Sequence, residues 1–122
     1  MINRLSDSQI DTCEQHLGYS IPNLYRRLLT GIGPGRHGDG ELYHPEEIAT
    51  LYAHHFEAPD QLFRVYCPFG CNHRTQDIWL IRIQDLAVAA IGHETHPDDY
   101  PEEVWLPFEQ WLVAHRPQWA QA

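Results

Sequence analysis

Cys67, Cys71 and His73 fall close together in the stretch Tyr66-Cys67-Pro68-Phe69-Gly70-Cys71-Asn72-His73. Thiolates and an imidazole are the ligands that tetrahedral zinc prefers. A structural zinc site usually draws a second pair of ligands from a distance. The only other cysteine, Cys13, falls on the apolar face of a predicted helix. The C-x3-C spacing differs from the usual C-x2-C knuckle, and a redox pair would need C-x-x-C at a helix N-terminus. The stretch is therefore expected to be a loop between strands with free thiols, holding no metal and no cofactor. A metal-dependent enzyme using Cys67, Cys71 and His73 is the alternative it leaves open.

Other candidate motifs lack the context their chemistry needs. Gly33-Pro34-Gly35-Arg36-His37-Gly38 spells G-x-G-x-x-G. A dinucleotide site needs a strand entering and a helix leaving, and Pro34 removes an amide that could hold phosphate. His93-Glu94-Thr95-His96-Pro97-Asp98-Asp99 has metal-binding residue types, but Pro97 breaks any helix that would make the histidines converge. It is expected to be a solvated acidic loop. Ser6, Ser8 and Ser20 are the only serines, and none sits in a nucleophile elbow. No catalytic residue is assigned, and the chain is expected not to be an enzyme.

Charge bounds the partners. The net charge is −9, and all eight basic residues other than histidine are arginine. Seven acids and no arginine lie between Asp85 and Glu109. Such a surface repels nucleic acid, and it either attracts a basic protein or only keeps the chain soluble. The longest apolar run, Leu86 to Ile91, is six residues, against about 20 for a membrane span. The first residues show no apolar core, so no signal peptide is expected, and the compartment is expected to be the cytoplasm.

The elements that must carry these residues follow from periodicity. The 122 residues suit one domain spanning the chain. Ser6 and Gln9 form a capping box, and Ile10, Cys13 and Leu17 recur at helical spacing up to Gly18. Pro22 at the first helical position opens a second helix, with Leu24, Leu28 and Leu29 inward. Residues 31–40 read as a glycine loop, and Glu41-Leu42-Tyr43 as a short strand. His44-Pro45-Glu46-Glu47 begins a third helix, with Ile48, Leu51 and Tyr52 inward. Strands are expected over Leu62–Tyr66, Asp77–Ile83 and Leu86–Ile91, and a loop over His93–Glu103. Pro107 opens a last helix with a face of Phe108, Trp111, Leu112 and His115. This order predicts a single α+β domain, an antiparallel meander with helices packed on one side.

Three segments carry a family likeness. Leu17-Gly18-Tyr19-Ser20-Ile21-Pro22-Asn23-Leu24-Tyr25-Arg26-Arg27-Leu28-Leu29 resembles the L-G-x-x-L-P-x-x-Y-R-x-F-L segment of SMI1/KNR4 (SUKH) domains. Leu42-Tyr43-His44-Pro45-Glu46-Glu47-Ile48 is similar to their L-Y-S-P-E-E-I segment. Trp105-Leu106-Pro107-Phe108-Glu109-Gln110-Trp111-Leu112 is similar to their closing S-F-E-E-F-L helix. The stretch Gly70 to Asp77 departs from the Gly-Asp pair of that family, so no site is carried over there. The resemblance implies helices on one side of a curved antiparallel sheet. It also implies a non-catalytic binding role: a bacterial immunity protein that neutralises a toxin domain, often a nuclease, or a regulatory scaffold. Tyr43 and Phe69 are then expected as exposed aromatic anchors. Asp98, Asp99, Glu102 and Glu103 are expected to meet a basic toxin domain.

Overall fold

The computed structural model describes residues 4–52 and 62–114. Helix α1 spans Asp7–Leu17. The Ser6 side chain accepts from the Gln9 amide while Gln9 reaches back to the Ser6 amide, so two orphan donors of the first turn are satisfied. Gly18 ends α1 in the left-handed region at φ 76°. Helix α2 spans Asn23–Gly31 and buries Tyr25, Leu28 and Leu29. Pro22 is its N-cap rather than its first helical residue. Helix α3 spans Pro45–Leu51. There the His44 imidazole takes the capping role and accepts from the Glu46 amide. Helix α4 spans Phe108–Ala114.

Five strands form one antiparallel sheet in chain order: β1 (Gly35–His37), β2 (Gly40–Leu42), β3 (Tyr66–Asn72), β4 (Asp77–Arg82) and β5 (Val88–Gly92). Directly opposed residues share a face, so the register sorts the side chains. Cys67 and Val88 oppose Ile81, and Gly70 and Ala90 oppose Trp79, on one face. Cys71 and Ile91 oppose Ile78, and Pro68 and Ala89 oppose Leu80, on the other.

The helices build on the first face. Trp111 of α4 meets Trp79 edge-on at 5.2 Å between ring centroids. Phe69 packs against Trp79, Trp111 and Tyr25 of α2. Arg27 ties α2 to α4, lying over Phe108 and pairing with Glu109 at 3.3 Å. Tyrosines gather at the second face. Tyr43 and Tyr52 share a hydroxyl–hydroxyl hydrogen bond of 2.8 Å. Tyr66 meets Tyr100 edge-on and stacks on Trp105. Both faces are thereby covered, so Ile78, Trp79, Leu80 and Ile81 are buried in succession, without the alternation of a half-exposed strand.

Several local expectations are corrected. The strand expected over Leu62–Tyr66 begins only at Tyr66, because Phe63 turns the chain at φ 70° and Leu62 contributes a single bridge. The predicted Cys67–Cys71 loop is β3 itself. Pro68 and Gly70, which read as loop residues, flank a β-bulge in which Phe69 is the extra residue. A bulge tolerates the missing proline donor. The glycine loop over residues 31–40 contains β1 and its turn to β2, with Gly38 at φ 64°. The return strand starts at Val88, not Leu86. The loop expected over His93–Glu103 contains a 3-10 helix, Pro97–Glu102. Leu51 is 55% exposed, and Leu112 is half-buried. His115 lies outside the described residues. Tyr43 and Phe69, expected as exposed anchors, are 7% and 0% exposed. Both are core residues, since covering the two sheet faces consumes them.

Candidate functional site

The β2–β3 register sets Glu41 opposite Cys71. His73 follows β3, and its backbone amide donates to the Asp39 carbonyl at 2.7 Å. The buried Asn72 turns the chain here, its Oδ1 accepting from the Arg74 and Thr75 amides. His73 Nε2 then lies 2.6 Å from Glu41 Oε1 and 3.7 Å from Cys71 Sγ. Burial pushes the Cys71 thiol up from its ordinary range, and a hydrogen bond with Tyr43 pulls the other way. Cys71 and His73 line a cleft of about 470 Å³ together with Tyr43, Leu51, Tyr52 and His93.

Cys67 takes no part. The bulge changes the parity of β3, so Cys67 and Cys71, four apart, point to opposite faces. Cys67 is fully buried, and desolvation pushes its thiol up to about 12. The set Cys67/Cys71/His73 is therefore split, and Glu41 replaces Cys67. Glu41 lies 30 residues before Cys71, and only strand register joins them.

The trio is not a nucleophile–base–carboxylate relay. A relay uses both imidazole nitrogens, one toward the nucleophile and one toward the carboxylate. Here Cys71 and Glu41 both approach Nε2. A larger cleft of about 600 Å³ is lined by Arg64, Tyr66, Arg82 and Asp85 among others. Its Arg82 is already engaged, with two hydrogen bonds to Asp85 at 2.6 and 2.8 Å and the Trp105 ring beneath it.

The acidic residues are presented by the 3-10 helix. Asp98, Asp99 and Glu102 are exposed, and Glu103 is half-buried. Pro97 and Tyr100 are buried and anchor the turn. The His96 imidazole accepts from the Asp98 amide, and the Trp105 indole donates to the Tyr100 carbonyl at 2.8 Å. The arginine ion pairs among the described residues run to Asp7, Asp11, Glu14, Asp39, Asp85 and Glu109. None reaches the four carboxylates of this turn, of which Asp98 lies 3.5 Å from the His96 imidazole. Val104, next in the chain, is 75% exposed. Sequence reasoning missed it because a single valine between polar residues carries no periodic signal.

No protein-family model matches the chain, and a search of curated proteins finds no match. Among the described residues, no helix is long and apolar enough to cross a membrane.

Proposed function

We propose that the chain is a non-catalytic protein-binding domain that docks a basic partner on the surface around Asp98, Asp99, Glu102, Glu103 and Val104. The observation that carries this is an acidic turn held in place by buried Pro97 and Tyr100, with no arginine among the described residues paired to it. An ordered turn presents its carboxylates without the entropy loss a mobile loop would suffer on docking. Exposed Val104 supplies apolar area beside the charges. The sequence likeness to SMI1/KNR4 domains supports an immunity role, with a basic toxin domain as the partner. A cytoplasmic regulatory scaffold would use the same face.

Association kinetics with a basic toxin domain as the partner test the proposal. Changing Asp98, Asp99, Glu102 and Glu103 to Lys should lower the association rate more than it raises the dissociation rate. Rising salt should slow association of the unaltered chain. An association rate unmoved by both perturbations refutes the acidic turn as the docking surface.

A further inference from the structure

Glu41, Cys71 and His73 bring a carboxylate oxygen, a sulfur and an imidazole nitrogen within 4.8 Å of one another. A tetrahedral ion bound at ordinary zinc distances would hold its sulfur and nitrogen ligands about 3.5 Å apart and its nitrogen and oxygen ligands about 3.3 Å apart. The observed Sγ···Nε2 separation of 3.7 Å is already close to that geometry. The Nε2···Oε1 separation of 2.6 Å is a hydrogen bond, and would open by under about 1 Å through rotation of the Glu41 side chain. The backbones need not move. Glu41 and Cys71 are opposed across a strand pair, and the His73 amide is tied to Asp39.

We propose that Glu41, Cys71 and His73 bind a divalent ion of the zinc class, with one coordination position left to solvent or a ligand. Thiolate and imidazole select zinc or cobalt over magnesium and calcium. On binding, the Sγ–H bond breaks, sulfur bonds to the metal, and the proton leaves to solvent. The proton that His73 Nε2 shares with Glu41 is displaced too, moving to Nδ1 by exchange with solvent, so the neutral imidazole ligates through Nε2. A second trio, Cys13, His44 and Glu46, is as compact but has donors already committed. His44 Nδ1 caps α3, Glu46 is bonded to His16, and Cys13 is buried. The proposal is independent of the docking surface.

Cobalt titration of the purified full chain tests it. The expected result is one cobalt per chain, with the visible bands of tetrahedral cobalt and a near-ultraviolet sulfur-to-cobalt charge-transfer band. Cys71→Ser should abolish the charge-transfer band, and His73→Ala should weaken affinity about tenfold or more. Cys67→Ser should leave the charge-transfer band in place, because that thiol faces the opposite side of the sheet. Visible bands without charge transfer would mean binding by exposed histidines alone and overturn the proposal. So would a charge-transfer band that survives Cys71→Ser. A measurement on the unaltered chain guards against variants that fail to fold: zinc should slow alkylation of Cys71, mapped by peptide mass, about tenfold or more. An unchanged rate overturns the proposal.

Discussion

Gly70→Ala should destabilise the protein through contact, not through backbone conformation. Gly70 is absent from the residues with positive φ, so alanine can adopt its backbone. A Cβ built there would lie 2.3 Å from the Glu41 carbonyl oxygen, and 2.7 and 3.2 Å from Cε3 and Cζ3 of Trp79. The oxygen belongs to β2, which is paired on both sides, and Trp79 is wedged against Phe69 and Trp111. Neither neighbour can yield cheaply. Relief needs a shift of about 1 Å in a packed sheet, at the upper end of the usual overpacking cost, about 3 kcal/mol. The unfolding entropy expected for 122 residues is about 0.25 kcal/mol per kelvin, so the midpoint should fall by about 12 °C. Thermal melts followed by circular dichroism read this directly. Gly31→Ala is the control, since nothing lies within 4 Å of its added Cβ. It should stay within about 0.5 kcal/mol. A Gly70→Ala variant as stable as that control would refute the close approach of β2 to β3. If the strands instead part, Glu41 moves off Cys71, and the cobalt charge-transfer band should weaken in the same variant.

Two further outcomes follow from burial. Leu28→Ala should cost about 2–5 kcal/mol in a urea titration, because Leu28 is 5% exposed between α2 and the core; a loss under about 0.5 kcal/mol would mean that α2 packs otherwise. Burial pushes Tyr52 and Tyr100 up to about 12 and also raises Tyr43 and Tyr66. The folded state thus favours the neutral phenols, so their contribution is complete below pH about 10 and is lost as pH climbs toward about 12. Tyrosinate absorbance should rise together with loss of tertiary structure in that window, and ionisation of all six tyrosines near pH 10 in a still-folded chain would contradict the buried phenols.

What could be read without coordinates was whatever local chemistry encodes. The Ser6–Gln9 box, the Gly18 stop and the His-Pro-Glu-Glu start of α3 are short-range signals, and each stands where expected. The α+β order and the antiparallel meander followed from element order. β3 was illegible because Pro68 and Gly70 carry loop propensities, and only pairing with β2 and β4 overrides them. The bulge then hid which face each cysteine takes. Tyr43 and Phe69 were misplaced because residue type does not tell a surface aromatic from a core one. Cys71 and His73 were singled out, but Glu41 arrives through register, a long-range property that no spacing rule in one strand can expose.

The strand order carries a kinetic consequence. Each strand pairs with its predecessor, so no strand must be threaded between two others already formed. The β3–β4 and β4–β5 hairpins close over short turns, on a timescale of about 1–10 μs for such units. The aromatic contacts between helix and sheet span far more of the chain: Tyr25 reaches Phe69, and Trp111 reaches Trp79. Contacts of high sequence separation are slow to form, since loop closure precedes any gain from packing. A chain emerging from the ribosome can thus zip its sheet early, but it must wait for α4 to seal Trp79 from water. Until then, the face bearing Trp79 and Phe69 stays sticky, and α4 acts as the stopper.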